Sequence, residues 1–479
     1  MNLNKLFKNA PDVEIEQLSA DSRLPMKNAI FFCLNGIKYD GHNYINEAIN
    51  NGAKVIVYSK DLTNKNNAIY IKVKNVNETL YNVANIFYNC PNKDIDKYIV
   101  SGCYGRSTVS SIIKYYLDSV SSCGSVGVFG INYNDKHLDI SFPALPPLDN
   151  LKLLDNLKKN NIKNCVFETS IISLSYKKLD VIKPEVFIYT NTSKYCSDFQ
   201  ICNNMYYSYL RKYLYTLDDN TNVVLNYDDE SYNELKDSIN NCVTYGQNDN
   251  CDYRICNVVL NNNGLSYKLI YDNKEIIVES KLLGLSNVYN ITAAITSLNI
   301  MGYDVEDIIN KIKNLNYIDG VMEVVDDKYN VIVDCANEYD SIFNLLDYAK
   351  RTCKGKLIGV LGINYSDNES RIEKISKLCD KYLDIIIFTE DESLDGEVMN
   401  ILSRTNPYVD LRKTIHYSYR SDAIENAINI MNKNDTLLII GKGNERFMNM
   451  GLGKERYSGD KKNAVKYLKK RKDEENEII

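Results

Sequence analysis

Histidine is nearly absent from this chain. Only His42, His137 and His416 occur in 479 residues, and they are far apart. A histidine-rich zinc site or a Ser-His-Asp triad therefore has little material to draw on. The thirteen cysteines include no C-x-x-C pair and have no histidine beside them, a pattern expected of reduced thiols rather than a disulfide framework. No run of about 18 apolar residues occurs, so a membrane span is not expected. The start, Met1-Asn-Leu-Asn-Lys-Leu-Phe-Lys8, lacks the apolar core and cleavage site of a signal peptide. An excess of positive charge is missing too. The net charge of −6 makes no electrostatic case for nucleic acid or an anionic membrane. A cytoplasmic location is expected.

The length exceeds what one hydrophobic core serves and suggests about three domains. Residues 1–92 read as the first, with strands at Ala29–Leu34 and Lys54–Tyr58 and a helix from His42 to Asn51. Residues 93–322 read as the second, with strands at Ser125–Phe129, Asn164–Glu168, Val186–Thr190 and Asn222–Asn226. Helices are expected there at Ser107–Leu117, Leu148–Lys159, Asn287–Met301 and Val305–Asn314, a loop at Pro143–Pro147, and a hairpin over Asn257–Glu279. Residues 323–479 read as the third, with strands at Tyr329–Asp334, Lys356–Leu361, Ile385–Thr389 and Thr436–Ile440. A charged helix from Lys461 is expected to fray into a solvated tail. Strands alternating with helical patterns predict an α/β fold: a central, mostly parallel phosphate-loop sheet and a C-terminal Rossmann-like sheet.

One stretch organises the rest. Tyr98-Ile-Val-Ser-Gly-Cys-Tyr-Gly-Arg-Ser-Thr108 reads as a buried strand, a tight glycine turn and a helix start. Such a turn aims successive N–H groups at an anion, and the helix dipole favours negative charge there. The phosphate-loop pattern is G-x-x-x-x-G-K-[ST]. Here the turn is shorter and Arg106 holds the cationic position, although Gly-x-x-Gly between strand and helix also occurs without any ligand. The other polar residues at strand ends, Glu168, Asn191 and Asn226, fall where a parallel sheet places its ligand.

These motifs, in order, resemble the Mur ligases, in particular the UDP-N-acetylmuramoyl-tripeptide synthetase branch. The resemblance runs through Asp21-Ser-Arg23, Gly36, Asp40-Gly-His42 and Gly52-Ala53, the glycine turn (G-T-N-G-K-T-T in the family), and Cys165-Val-Phe-Glu-Thr-Ser170. It continues through Thr190-Asn191 with Asp198, Asn226-Tyr-Asp-Asp229, Gly284-Leu-Ser-Asn-Val-Tyr-Asn290, Gly320-Val-Met-Glu323, Asp334-Cys-Ala-Asn337 and Gly441-Lys-Gly-Asn-Glu445. It implies an ATP- and Mg2+-dependent amide ligase of peptidoglycan-precursor synthesis. A carboxylate becomes an acyl phosphate and an amino acid's amine then attacks it. The catalytic residues implied are Arg106, Glu168 and Lys212. The nucleotide-binding residues implied are Gly102, Gly105, Arg106, Ser107, Thr108, Asn287, Asn290 and Asp334, and the metal ligands are Ser107 and Glu168. For a UDP-linked muramyl peptide and an amino acid, the resemblance implies Ser22, Asp40, His42, Ser170, Asp391, Lys442 and Glu445. A cytoplasmic monomer is the expected form.

The departures from the family pattern fall on its chemistry. Arg106 replaces the loop lysine and Ile172 a histidine. Tyr195 and Cys196 replace an Asp-His pair, and Val321 an arginine. Asn337 and Asn444 replace histidines. Arg211 falls where the family carbamoylates a lysine, with Lys212 one place away. Pro143–Pro147 replaces a T-T-P loop, and Asp391-Glu-Ser-Leu394 replaces D-N-P-R, whose arginine clamps an acceptor carboxylate. A diaminopimelate acceptor is therefore not expected. The alternative function is a catalytically inactive homologue that binds nucleotide, UDP-sugar or a cell-wall synthesis protein.

Overall fold

The computed structural model describes all residues except 36–38, 63–64, 141–143, 197–201, 203–204, 262, 327, 393–396, 450–453 and 478–479. Three large sheets follow one another along the chain. The first has four parallel strands in sequence order: Gln17–Ser19, Ala29–Phe32, Ala53–Tyr58 and Ile69–Lys72. Its middle strands are apolar on both faces, as expected of a sheet covered on both sides.

The second sheet has eleven strands, with Asp96–Ser101 near its centre. Asn164–Glu168 pairs with it in parallel on one side and Val186–Tyr189 on the other. Cys123–Gly127 lies beyond the first of these, and Asn222–Asn226 and Cys242–Gly246 beyond the second, all parallel. The carboxyl ends of the central strands thus open on one rim, where parallel sheets hold ligands. The helix Arg106–Val120 crosses one face. Its apolar residues Val109, Ile112, Ile113, Tyr116 and Leu117 recur at i, i+3, i+4, i+7 and i+8, and all five are buried. Each such side chain contributes about 1.5–3 kcal/mol when fully buried.

Three sequence expectations are corrected. The strand at Ser125–Phe129 runs instead over Cys123–Gly127, because Val128 and Phe129 form the turn to an antiparallel strand at Gly130–Tyr133. The hairpin over Asn257–Glu279 is a three-stranded meander, Tyr253–Asn261, Gly264–Tyr271 and Lys274–Ser280. Its second turn is set by Asp272 and Asn273, both left-handed at φ 46° and 56°, the geometry a two-residue hairpin loop needs. The C-terminal helix is not a solvated tail. Asp460–Glu477 docks through the buried Ala464, Tyr467 and Leu468, and Arg471 donates to the Met431 carbonyl at 2.8 Å and to that of Ile428.

The third sheet runs in the order Glu323–Asp326, Val331–Asp334, Thr436–Ile440, Leu357–Ile363, Ile385–Glu390, Thr414–Tyr417. Only the first strand is antiparallel. The buried Arg420 fastens the C-terminal helix to this sheet, with Nε and Nη2 each 2.8 Å from Asp460 and Nη2 also 2.8 Å from the Ile440 carbonyl.

Candidate active site

The glycine turn closes the central strand and opens the helix Arg106–Val120. Gly102 has φ +135° and Gly105 φ +81°. A Cβ on Gly102 would collide with the Thr190 hydroxyl, and one on Gly105 with the Asn290 side-chain amide. Both positions therefore demand glycine for backbone and for space. The turn is stitched to the neighbouring strand end. Asn191 takes the Cys103 N–H on its carbonyl and the Tyr104 N–H on Oδ1, each at 3.0 Å. The Tyr104 carbonyl accepts from Thr190 Oγ1 at 2.8 Å and Asn191 Nδ2 at 2.9 Å.

Ser107 and Glu168 meet at the mouth of this cradle. The Ser107 hydroxyl donates to Glu168 Oε1 at 2.8 Å, and the Val128 N–H approaches Oε2 at 3.4 Å. Glu168 is buried. The Arg106 guanidinium folds back into the loop, donating through Nη1 to the Gly102 carbonyl, with Nε 3.6 Å from Glu168 Oε1. Thr108 is buried behind it in the first helical turn.

The third unit forms the opposite wall. A cleft of about 150 Å³ is lined by Tyr104, Arg106, Glu168 and Asn287 from one side and Asp334 and Glu445 from the other. Asn287 and Asn290 are buried. Asn287 donates to the Leu283 carbonyl at 2.7 Å and Asn290 to Asn287 Oδ1 at 3.0 Å. Asp334 accepts the Met322 and Ala336 N–H groups, each at 2.6 Å, and so ties the inter-domain segment to the third sheet. Burial pushes its carboxyl up to about 6, against the pull of those two hydrogen bonds. Lys442 is buried among carboxylates, 2.9 Å from Asp391, 3.1 Å from Glu445 and 3.7 Å from Glu392. Burial opposes its charge, but Asp391 and Glu445 more than restore it, leaving the ammonium above its ordinary range. Burial raises the Glu445 carboxyl, and Lys442 pulls it back.

Several residues named from sequence are not brought to this cleft. Lys212 lies on the exposed side of the helix Tyr206–Leu214, because Tyr206, Leu210, Tyr213 and Leu214 form its buried face. Neighbouring Arg211 turns to Glu234, with Nη2 2.5 Å from the carboxylate. Ser22 donates to Glu47 at 2.5 Å within the first unit. His42 shares its Nδ1 proton with Asp40 at 2.6 Å, and its Nε2 accepts the Ser59 N–H at 3.1 Å. Both residues are thus held by contacts within the first unit. The Lys60 ammonium, then His42, hold the Asp40 carboxyl below its ordinary range. Ser170 caps the short helix Ile171–Ser175 by accepting the Ser173 N–H at 3.2 Å. Asp391 lines an adjoining cavity of about 390 Å³ on the third unit. Asp198, Pro143, Leu394 and Gly36 lie outside the described residues.

Sequence reasoning missed a contact that joins the second and third units beside the cleft. The Ser193 hydroxyl donates to Asp340, and the Tyr195 and Tyr339 rings pack with centroids 4.7 Å apart. The Lys374 ammonium stands 4.8 Å from the Tyr195 centroid. Residues 193 and 340 are 147 positions apart, so no local pattern announces the pair.

Magnesium ions need few protein ligands when phosphates supply the other oxygens. Ser107 and Glu168 are the pair able to share one in this way. Among the described residues no group of three or more His, Cys, Asp or Glu gathers as a metal cluster. The orientations of Arg211 and Lys212 provide nothing for a second, carbamate-held ion.

Three models of one family match in succession: "Mur ligase family, catalytic domain" over residues 14–88, "Mur ligase middle domain" over 100–298, and "Mur ligase, glutamate ligase domain" over 322–443. The chain belongs to the Mur ligase family. Among curated relatives, the UDP-N-acetylmuramoyl-L-alanyl-D-glutamate--2,6-diaminopimelate ligase of Clostridium botulinum is 28% identical over 464 residues, covering 93% of this chain and 95% of the relative. The ligase of the same name from Clostridioides difficile is 27% identical over 472 residues, covering 97% of each. A solved ligase of that name superposes with TM-score 0.67 at 19% identity, over 98% of this chain and 99% of the other. The MurF ligase of Thermotoga maritima in complex with ADP gives 0.64 at 15% identity, over 95% and 97%. These superpositions establish the three-domain Mur ligase architecture. No helix among the described residues is long and apolar enough to cross a membrane.

Proposed function

We propose that this Mur ligase is an ATP-dependent amide ligase of peptidoglycan-precursor synthesis, joining an amino acid to a UDP-linked muramyl peptide. The supporting observation is the Ser107–Glu168 pair at the mouth of the glycine cradle, facing Asp334 and Glu445 across the inter-domain cleft. In this reading ATP's terminal phosphoryl group passes to a substrate carboxylate, releasing ADP. The amine then attacks the acyl phosphate, the carbon–oxygen bond breaks, and phosphate leaves as the amide forms.

The chain's own residues have simple tasks in this scheme. The Gly105–Thr108 amides at the helix start and the helix dipole hold the phosphates, while the Cys103 and Tyr104 amides keep the turn pinned to Asn191. Arg106 offers a planar fork of donors suited to phosphate oxygens. Ser107 and Glu168 would hold Mg2+, which supplies charge relief on the transferring phosphoryl group. Lys442, fixed by Asp391 and Glu445, places a buried cation behind Glu445 on the third domain's side of the cleft. The diaminopimelate acceptor in the relatives' names is not carried over, because Leu394 has no guanidinium to clamp a second carboxylate.

The test is purified protein with ATP, Mg2+ and UDP-N-acetylmuramoyl-L-alanyl-D-glutamate against a panel of amino acids, following ADP release and product mass. Amino-acid-dependent ADP release with a matching amide product is expected. ADP release that no amino acid stimulates would overturn the reading.

A further inference from the structure

We propose that Arg106 is an internal counter-cation for Glu168 that competes with a divalent metal, so that metal loads only when nucleotide phosphate draws the guanidinium away. The proposal deepens the ligase reading and rests on the same loop.

The geometry carries it. Glu168 is buried, and its Oε1 is shared by the Ser107 hydroxyl at 2.8 Å and Arg106 Nε at 3.6 Å. The same guanidinium is anchored on the Gly102 carbonyl, inside the cradle. A magnesium ion on Glu168 needs a carboxylate oxygen at about 2.0–2.1 Å and a near-octahedral shell. A guanidinium this close to that oxygen occupies the approach and repels a second cation at short range. A free divalent ion therefore has to displace a tethered, already paired cation from a buried carboxylate. Phosphate changes the balance, because it offers Arg106 a bidentate, charge-assisted partner that competes with the Gly102 carbonyl and the long ion pair to Glu168. Once the guanidinium turns to phosphate, Glu168 and Ser107 are released to the metal. A lysine ammonium at this position would be a compact point charge without a fork to bridge Gly102 and Glu168. The arginine thus changes the loading order as well as the phosphate contact.

The experiment is a Mn2+ titration followed by electron paramagnetic resonance, using full-length protein with and without a non-hydrolysable ATP analogue. Nucleotide-free wild type should bind Mn2+ weakly. Arg106→Gln should bind it at least about tenfold more tightly, since removing one charge from a pair about 4 Å apart is worth that much. Adding Glu168→Gln to that variant should return binding to the wild-type level. Unchanged Mn2+ affinity in Arg106→Gln would overturn the proposal. Should that variant fail to fold, wild type decides: Glu168-dependent Mn2+ binding as tight without the analogue as with it overturns the proposal, and marked weakening without it supports it. Failure of wild type to bind the analogue at all would instead sink the ligase reading, and the same titrations record it.

Discussion

The Ser107 hydroxyl donates to Glu168 Oε1 across 2.8 Å, joining the first turn of one helix to the end of a strand 61 residues later. Neither residue is unusual alone. Together they bring a hydroxyl and a buried carboxylate to the rim where the glycine cradle opens. Glu168→Gln keeps the shape and one acceptor but removes the charge. Amino-acid-dependent ADP release should fall at least about a hundredfold, as when one preorganised electrostatic group is removed from an active site. A variant that turns over within tenfold of wild type would show that the carboxylate is not used.

Gly105→Ala tests the cradle itself. The position is left-handed, and the added methyl meets the Asn290 side-chain amide. Destabilisation of about 1–3 kcal/mol is expected from the strained backbone and displaced neighbour. Nucleotide affinity, measured by calorimetry, should drop with it. A melting temperature equal to that of wild type would contradict the assigned conformation.

Asp334 carries a pH signature. Burial pushes its carboxyl up to about 6 in the fold, from an ordinary value of 3.8. The folded protein binds the extra proton between these values, so this group's contribution to stability is full below about pH 4 and is lost as pH rises through 6. Two units correspond to roughly 3 kcal/mol. Chemical denaturation of wild type and Asp334→Asn across pH 4–7 should show the wild-type advantage shrinking by that order. A difference between the two that does not change with pH would rule this out.

Lys442→Met leaves Asp391, Glu392 and Glu445 facing one another without their buried cation. Removing one partner from a buried ion pair costs about 3–5 kcal/mol. Equilibrium unfolding at pH 7.5 should show a loss of that size. Part of it should return near pH 5, where Glu445, already raised by burial, takes up a proton more readily. A loss that stays the same at both pH values would mean that carboxylate repulsion is not its cause.

Much of the framework is legible in the order of residues. Apolar runs separated by helical periods specify parallel sheets, since such strands must be buried on both faces. The order of glycine and acidic motifs identifies the family and marks Gly102, Gly105, Ser107 and Glu168. These signals are local, carried by backbone geometry and by hydrophobic period. Which polar residues meet depends on the packed fold. Lys212 is one helical position from Arg211, yet the four apolar side chains of its helix turn it to solvent. Asp40 and His42 stand in a motif, but that His42 also meets the backbone of Ser59 and Asp40 the ammonium of Lys60 is set by the fold. Ser193 and Asp340 join the second and third units from distant parts of the chain. Arg106 reads as a substituted lysine in sequence, but in space it also pairs with the buried Glu168. Such pairings depend on how whole domains pack, because a side chain's partner is set by the elements that bury it and not by its neighbours in the chain.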